Sequence, residues 1–381
     1  MLDIVVIGGG ASALFFGTFI KNREYVILEA SEKLAQKLAI SGGGKCNITN
    51  AFLSEKNYLG DREFIANSLK HYNNNSLLLF LKNSALEVFR DDRVVPGQYF
   101  FKTSSKLIEV LKKSQSGKLI NNTKVIDIEY TDHFIIKTSS KSFNAKHIVI
   151  ASGGISYEAL GVSSIGYDIA KKFNHKIITP KPALVGFTVQ KEQFWFKNLS
   201  GISIFCKLTY KDKIFKGMIL FTHKGFSGPV ALNASLYFEK GSLEIDFLPK
   251  TSTINILRNS KKQISTLLPL PKRFIKEFLN SIGLDDKKAI ELSPQEIEKL
   301  NTIHNYKLSP AGNFGFSKAE ITKGGVSTEN IDSETMESKL QKNLYFIGEV
   351  LDVSGELGGY NLQWCATSAY IAAHSLMATE D

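Results

Sequence analysis

The sequence predicts an α/β protein, in which a parallel sheet built from strand–helix–strand units carries an inserted β-rich domain. Three observations support this fold class. The first thirty residues follow the order strand, glycine turn, helix, strand. Glycine-rich turns also follow buried strands in the middle and near the end of the chain. Between 187 and 319 the pattern changes to short alternating strands, which favours a small antiparallel sheet or barrel.

The N-terminal unit is the clearest element. Asp3–Ile7 is a short β-branched apolar run, Leu14–Asn22 carries apolar residues at helical spacing, and Tyr25–Leu28 is a second strand. The turn between the first strand and the helix reads Gly8-x-Gly10-x-x-Ala13. This is an accepted form of the dinucleotide-binding fingerprint of Rossmann-type domains. A bound dinucleotide is therefore expected.

Each residue of this motif has a physical role. Gly8 permits the tight turn, Gly10 lets a pyrophosphate approach the backbone, and Ala13 lets helix and strand pack. The helix N-terminus offers N–H groups to the phosphates. Glu29 ends the second strand, where its carboxylate can accept from both ribose hydroxyls and would repel the 2′-phosphate of NADP. Further cofactor contacts are expected at Ala11, Ser12 and Ala30.

Two more glycine-rich turns precede the middle of the chain. Ser41–Asn50 contains three consecutive glycines, whose entropic cost makes sense where the backbone passes close to a cofactor. The alternative is a flexible surface loop. Ala151–Gly154 directly follows the strand His147–Ile150. The cofactor contacts expected in these turns are Gly42, Gly43, Gly44, Lys45, Asn47, Ala151, Gly153 and Gly154.

The same pattern returns near the C-terminus. Asn343–Asp352 reads as a buried strand that ends in Gly-Glu, and a helix is predicted over 363–377. The segment before this helix contains Gly-Gly-Tyr-Asn, which suits a helix N-terminus that faces an acceptor. The contacts expected here are Gly348, Glu349, Asp352, Gly358, Gly359, Tyr360, Asn361 and Leu362.

The turns place 1–186 and 320–381 in one discontinuous nucleotide-binding domain. Residues 187–319 form the inserted substrate domain, with a helical part at about 252–305. In the first domain we expect two helices over 61–84, a short strand at 93–95 and a helix over 103–114. In the insert we expect strands between 185 and 247, followed by helices at 253–268, 272–282 and 294–304.

The chain has 47 Lys and Arg against 37 Asp and Glu, a net charge of +10. This balance suits RNA or an anionic substrate, and a merely solvated basic surface is the alternative because no run of five basic residues occurs. The three cysteines lie far apart, so neither a metal site nor a dithiol pair is expected. Without a signal peptide or a long apolar run, the protein is expected in the cytoplasm and off the membrane. The oligomeric state stays open.

Several glycine-lined turns suit a long cofactor, and FAD can run from the first turn to the last helix. The N-terminus of that helix would then stabilise negative charge at the N1/O2 edge of the flavin. No second Gly-x-Gly-x-x-Gly follows a strand. NADH or NADPH, if either is the electron donor, must therefore dock directly onto the flavin.

Motifs along the whole chain resemble the BaiN/RdsA-like flavoproteins, also known as aminoacetone-oxidase-family FAD-binding enzymes. Besides the first turn, the matching segments are Ser41-Gly-Gly-Gly-Lys-Cys-Asn-x-Thr-Asn50, Ala151-Ser-Gly-Gly154, Pro182-Ala-Leu-Val185, Thr222-His-x-Gly-Phe-Ser-Gly-Pro229, Lys323-Gly-Gly-Val326, Gly348-Glu-Val-Leu-Asp352 and Gly358-Gly-Tyr-Asn-Leu362.

The resemblance implies a Rossmann-type FAD-binding domain with an inserted, barrel-like β-rich domain that carries a small helical subdomain. It implies non-covalent FAD, and Val125 is a further expected contact. The activities it implies are reduction of an activated C=C, including uridine to dihydrouridine in ribosomal RNA, and oxidation of small amines. The chain departs from the family at Lys45, usually Arg, and lacks an Arg and a Pro in 97–101 and an acid in 164–167.

Two side chains are candidate proton donors. Cys46 could protonate a substrate carbon while the flavin supplies hydride, although a cysteine can also pack as a small hydrophobe. His223 lies in a polar loop and suits acid–base chemistry near neutral pH, although it could equally be a hydrogen-bonded loop residue. The leading hypothesis is an FAD-dependent oxidoreductase that acts on uridine in 23S rRNA. The alternatives are an oxidase of a small amine such as aminoacetone, using O₂, and an FAD-bound RNA-binding protein without turnover.

Overall fold

Two units make up residues 1–378, the part of the chain that this computed structural model describes. Unit 1 is Met1–Ala183 together with Phe316–Asp381, and unit 2 is Leu184–Gly315. The chain therefore leaves unit 1 once and returns to it. The predicted insert, 187–319, begins and ends a few residues later than unit 2.

Twenty-one strands occur within the described residues. In chain order they are β1 (Leu2–Ile7), β2 (Tyr25–Leu28), β3 (Asn47–Asn50), β4 (Tyr58–Leu59), β5 (Phe89–Asp91), β6 (Gln98–Phe100), β7 (Lys118–Ile120), β8 (Val125–Tyr130), β9 (Phe134–Thr138), β10 (Ser142–Ile150), β11 (Ile177–Ala183), β12 (Phe187–Thr188), β13 (Ser203–Tyr210), β14 (Lys213–Thr222), β15 (Gly225–Ser227), β16 (Leu243–Asp246), β17 (Tyr306–Leu308), β18 (Gly312–Asn313), β19 (Ile321–Val326), β20 (Leu344–Phe346) and β21 (Ser354–Gly355).

Thirteen α-helices connect and cover these strands in the same part of the chain. They are α1 (Ala11–Phe19), α2 (Gln36–Ile40), α3 (Arg62–His71), α4 (Asn74–Asn83), α5 (Ser104–Lys113), α6 (Ile165–Lys172), α7 (Trp195–Asn198), α8 (Pro229–Tyr237), α9 (Thr253–Leu257), α10 (Ile264–Leu267), α11 (Lys272–Ser281), α12 (Pro294–Asn301) and α13 (Tyr360–Ala378). Over residues 1–378, none of them combines the length and apolar character that crossing a membrane requires.

Unit 1 is built on a parallel sheet in the order β7-β2-β1-β10-β20. The first half of β10 also pairs antiparallel with β9, and β9 in turn pairs antiparallel with β8. Helices α1 and α13 pack together, and their small and aromatic side chains join the buried core of this unit. Because parallel strands end at the same edge, the segments that follow β1, β2, β10 and β20 meet there.

Unit 2 contains a seven-stranded antiparallel sheet in the order β17-β16-β13-β14-β15-β12-β18. Side chains alternate between its two faces, as the strand pattern predicts. One face is covered by helices and by a buried aromatic cluster, whose members are Trp195, Phe196, Phe221, Phe247 and Phe274. The other face is half-exposed.

Three local predictions are wrong. Residues 93–95 form a turn, because the carboxylates of Asp91 and Asp92 accept from the N–H groups of Arg93 and Gly97. The helix predicted over 253–268 is two short helices, since Asn259 between them adopts a left-handed φ of 54° that a helix cannot accommodate. The last helix begins at Tyr360, three residues before the predicted start.

Candidate functional site

The glycine turns of unit 1 meet at the carboxyl edge of its parallel sheet. The N–H of Gly8 donates to the carbonyl of Leu28 at 2.9 Å, and that of Ala151 donates to Ile7 at 2.9 Å. The N–H of Ile347 donates to the carbonyl of Ile150 at 3.0 Å. The sheet hydrogen bonds thus bring together turns that are hundreds of residues apart in the sequence.

The first turn contains one glycine that the fold requires and one that it does not. Gly8 has φ of 99°, and a Cβ there would lie 2.7 Å from the carbonyl oxygen of Ala151. A Cβ on Gly10 would have its nearest neighbour 4.0 Å away. Gly10 is also the N-cap of α1 and provides no side-chain cap. The N–H groups at Ala11, Ser12 and Ala13 therefore begin a helix beside open space, where a phosphate fits.

The carboxylate of Glu29 is held beside this turn. Its Oε2 accepts from the N–H of Gly9 at 2.7 Å, and its Oε1 accepts from the N–H of Ser31 at 2.8 Å. These bonds orient the carboxylate and leave lone pairs for hydroxyl donors. Ala30 is exposed next to it, and Val125 is buried at the start of β8.

The loop 41–50 leads from α2 into β3. Ser41–Gly44 forms a single tight turn, and β3 begins at Asn47 and pairs with β6. A Cβ on Gly43 or Gly44 would have no heavy atom within 4 Å, so open space lies beside the glycines. Gly42 packs near the Asn47 amide, and the Lys45 side chain is exposed. The loop therefore presents backbone, a cation and an amide to this space.

Cys46 points away from that space. Its side chain is fully buried in the core of unit 1, and its φ is 51°. Burial raises the pKa of the thiol to about 12, an effect that a hydrogen bond with Ser41 only reduces. The thiol is therefore protonated at neutral pH but is a very weak acid. Its proposed catalytic role stays a prediction.

Two buried polar atoms at the sheet edge have no partner among the described residues: the hydroxyl oxygens of Ser152 and Tyr167. Ser152 lies in the turn Ala151–Gly154, next to Gly166 at the start of α6. A Cβ on Gly153 would meet nothing within 4 Å. Burial raises the pKa of Tyr167, and the nearby carboxylates of Glu349 and Asp352 add to this shift. Buried unpaired hydroxyls are costly, so a polar ligand at this edge would be stabilised by them.

An ion pair that the sequence analysis did not identify joins α2 to the turn after β20. Lys37 Nζ lies 2.8 and 2.7 Å from the two carboxylate oxygens of Glu349 and donates to Ser156 Oγ at 2.7 Å. Glu349 also accepts from the N–H of Thr322 at 2.9 Å, and a Cβ on Gly154 would crowd both residues. No spacing in the sequence connects positions 37, 322 and 349, so only the fold could reveal this cluster.

Glu320 and Asp352 are further acids near the cluster. Burial raises the pKa of Glu320 to about 7, while the charge of Lys37 opposes the shift. Burial also raises the pKa of Asp352, and a hydrogen bond from the Gly324 N–H limits the increase. Glu320 can therefore hold or release a proton near neutral pH. Burial and neighbouring charges cause this shift, which sequence reasoning could not anticipate.

The N-terminus of α13 is locked to β3. A Cβ on Gly359 would collide with the Thr49 backbone, and the amide of Asn50 donates to the carbonyl of Gly358 at 3.2 Å. Tyr58 Oη donates to the carbonyl of Tyr360 at 2.8 Å. Near this N-terminus, the Asn361 side chain exchanges hydrogen bonds with the backbone N–H and carbonyl of Gly355. Leu362 packs against the core of unit 1. Gly348 fits tightly against Ser12 of α1.

His223 belongs to unit 2, where it lies exposed in the turn between β14 and β15. Its role in catalysis therefore stays a prediction. Among residues 1–378, no three His, Cys, Asp or Glu side chains group as metal ligands would.

A family model, described as the HI0933-like protein Rossmann domain, matches residues 2–375. The chain belongs to this family. It is 33% identical over 394 residues to a ribosomal RNA dihydrouridine synthase from Haemophilus influenzae, with 98% of each chain covered. It is 29% identical over 417 residues to a 3-dehydro-bile acid delta(4,6)-reductase from Clostridium scindens, covering 98% of this chain and 99% of the relative.

The fold also occurs among solved structures. A 3-ketosteroid-delta4-(5alpha)-dehydrogenase from Rhodococcus jostii matches with a TM-score of 0.50 and 13% identity, covering 98% of this chain and 96% of that one. The HI0933-like member is thus an oxidoreductase, and the predicted Rossmann-type, FAD-binding fold class is confirmed. The open space beside Gly10, the unpaired hydroxyls and the uncapped helix fit such a cofactor.

Proposed function

We propose that this HI0933-like protein is an FAD-dependent reductase of activated C=C bonds, and that its substrate is uridine in 23S rRNA. The observation that carries the proposal is the cradle of glycine turns at one sheet edge, in a chain aligned over 98% of a relative named ribosomal RNA dihydrouridine synthase. The net charge of +10 supports an RNA substrate. Work on ribosomal RNA would place the protein in the cytoplasm.

FAD would supply hydride chemistry when bound, and the chain's own residues would hold it. Gly10 and the first turn of α1 would receive the pyrophosphate, and the fixed carboxylate of Glu29 would accept from the adenosine ribose. We propose the remaining predicted contacts, in 42–47, 151–154 and 348–362, as further groups that would line the cofactor. The Glu349 carboxylate, held by Lys37, would bind hydroxyls farther along the cofactor.

Reduction of a C=C also needs a proton. Three groups are candidates: Cys46, His223 and Glu320. Cys46 is fully buried with a pKa near 12, whereas Glu320 exchanges its proton near neutral pH. Glu320→Gln, Cys46→Ser and His223→Gln distinguish them through the pH profile of the rate. Loss of the limb near pH 7 in Glu320→Gln alone identifies Glu320 as the donor. A profile that keeps this limb in Glu320→Gln, with a fall in the maximal rate only in Cys46→Ser or only in His223→Gln, identifies the replaced residue instead.

NADH or NADPH is the proposed electron donor, and unit 2 is the proposed substrate domain. Anaerobic titration of the purified protein with each nucleotide tests the donor. The proposal requires that one of them bleaches the flavin absorbance. Absence of bleaching with both would leave an RNA-binding protein without turnover as the better explanation.

The substrate is tested in cells. A bacterial strain that lacks 23S rRNA dihydrouridine is given the gene, and the RNA is digested and measured by mass spectrometry. We expect dihydrouridine to appear with the wild-type gene and to be absent with Gly10→Ala, which serves as a matched control. Expression of wild-type protein without any gain of dihydrouridine would overturn the RNA substrate.

A second candidate is reduction of a small conjugated ketone. It is favoured by the similarity to a 3-dehydro-bile acid delta(4,6)-reductase over almost the whole of both chains. A steroid dienone that reoxidises the anaerobically reduced flavin, when rRNA does not, would select this candidate. Aminoacetone under air, with peroxide release, is the parallel test for amine oxidation.

A further inference from the structure

The positive charge of the chain is concentrated in unit 2. Residues 184–315 contain 19 Lys and Arg but only 11 Asp and Glu, so this smaller unit carries +8 of the net +10. Unit 1, which contains the predicted cofactor cradle, is therefore close to neutral. An excess of this kind in one unit attracts a polyanion to that unit rather than to the whole molecule.

The β13–β14 hairpin of unit 2 has an exposed apolar face. Its opposite face is buried through Ile204, Cys206 and Leu208, which puts the alternate residues of β13 outside. Phe205 is 38% exposed and pairs in register with Met218, while Ile214 is 58% exposed. The outward residues, here called the outer sheet face, are Ser203, Phe205, Lys207, Thr209, Ile214, Lys216, Met218 and Leu220.

One lysine lies against the aromatic ring of this face, and two more lie in the next register row. Lys250 Nζ lies 4.6 Å from the Phe205 ring centroid, and Lys207 and Lys216 are opposite each other in the next register row. Lys207 lies 3.7 Å from Asp246, which neutralises part of its charge. Lys216 and Lys250 are exposed, and neither forms an ion pair with another residue of 1–378.

We infer that the outer sheet face of unit 2 binds single-stranded RNA, with a base stacked on Phe205 and phosphates beside Lys216 and Lys250. A sheet face that presents an aromatic ring beside lysines is suited to unstacked bases and their backbone. The charge excess favours RNA over an apolar partner, and the ring favours RNA over an acidic protein. The inference rests on the proposed rRNA substrate and adds the surface that would recruit it.

Unit 2 offers a matched control. Phe194 is also an exposed aromatic residue, 43% exposed, and Lys197 Nζ lies 3.3 Å from its ring centroid. The pair flanks the buried residues Trp195 and Phe196, which pack on the opposite, helix-covered face of the sheet. The double variants Phe205→Ala/Lys250→Ala and Phe194→Ala/Lys197→Ala therefore remove the same groups from two different surfaces.

The test measures binding of a short fluorescein-labelled single-stranded RNA to FAD-loaded protein by anisotropy at several salt concentrations. The Phe205→Ala/Lys250→Ala variant should bind about tenfold more weakly or worse, since stacking on an aromatic ring contributes about 1–3 kcal/mol per base. Its salt dependence should fall by about 0.7 in logarithmic slope for the lost phosphate contact. The Phe194→Ala/Lys197→Ala variant should bind like the wild type, and both should keep the flavin spectrum.

The inference would be overturned if the two variants bound the RNA with the same affinity, whether both bound like the wild type or both bound more weakly. Poly-glutamate that binds as tightly as RNA and loses the same affinity on Phe205→Ala/Lys250→Ala would also overturn it, because the face would then be a general polyanion site. These results are independent of the proposed function. Dihydrouridine formation by wild-type protein decides that function, whatever the binding difference between the variants.

Discussion

The two glycines of the first turn allow the cofactor role of this edge to be separated from its structural role. Gly8→Ala and Gly10→Ala each add one methyl group two residues apart. At Gly8, φ is 99°, and the added methyl group would lie 2.7 Å from the backbone oxygen of Ala151. At Gly10, φ is −78° and the nearest atom is 4.0 Å away. Only the second methyl points into space that a phosphate would occupy.

The expected magnitudes follow from these distances. For Gly8→Ala, left-handed φ costs about 1–2 kcal/mol and overlap with rigid backbone about 1–3, giving a loss of about 2–5 kcal/mol of folding stability. For Gly10→Ala, loss of the preferred N-cap glycine lowers the folding stability by up to about 1 kcal/mol. The smaller conformational freedom of the unfolded chain raises it by about 0.4–1 kcal/mol. The net change without FAD is therefore close to zero.

The assay is urea unfolding followed by circular dichroism, with and without FAD in excess. Wild-type protein should gain about 2.7 kcal/mol from FAD at a hundred times its dissociation constant. Gly8→Ala should be destabilised under both conditions. Gly10→Ala should match the wild type without FAD and lose most of the gain with it. A Gly10→Ala protein that keeps the full FAD-dependent gain would refute the placement of the pyrophosphate.

Three further predictions concern buried charges and thiols. In urea unfolding, Lys37→Met should lower the free energy of unfolding by about 1–3 kcal/mol, because Glu349 loses its partner at a site where the two side chains are only 29% and 18% exposed. The control is Lys113→Met, which breaks an exposed ion pair and should change the free energy of unfolding by less than about 0.5 kcal/mol. The native protein should not react with Ellman's reagent at pH 8, since all three cysteines are buried, and every thiol should react after unfolding in guanidinium; fast reaction of the native protein would contradict the raised pKa values. Glu320 has a pKa of about 7 in the folded protein against an ordinary 4.5, so its contribution to stability is fully present below pH 4.5 and is lost as the pH rises through 7. Over this range the free energy of unfolding of the wild type should fall by up to about 3 kcal/mol relative to that of Glu320→Gln. Stability curves that run parallel for the two proteins would contradict the shift.

The elements at the carboxyl edge could be predicted because their sequence signals are local. The turn Gly8–Ala13, the helix α1 and the acid Glu29 all lie within the first thirty residues, together with β1 and β2. The same holds for Ala151 after β10. Parallel pairing then brings such turns to one edge without further information. Sequence therefore sufficed for the fold class, and the cofactor contacts stay a prediction.

The cluster around Lys37 could not be predicted, because its members come from four distant segments. The hydrogen bonds that Glu349 accepts from Lys37 and Thr322 depend on the packing of α2 and β19 against the turn after β20. Similarly, α8 was missed because it begins inside a segment, 222–229, whose glycines and proline predicted only a loop. Pro229 is the first residue of the helix, a position where proline is tolerated, and the alanines and leucines that follow favour a helix.

The central claim is that flavin held at the carboxyl edge of unit 1 reduces uridine in ribosomal RNA. The most direct measurement is a single turnover without oxygen: the FAD-loaded protein is reduced chemically, mixed with 23S rRNA that lacks dihydrouridine, and followed by absorbance and mass spectrometry. We predict that the flavin is reoxidised as dihydrouridine forms in equal amount. Flavin that stays reduced in the presence of this RNA would contradict the claim.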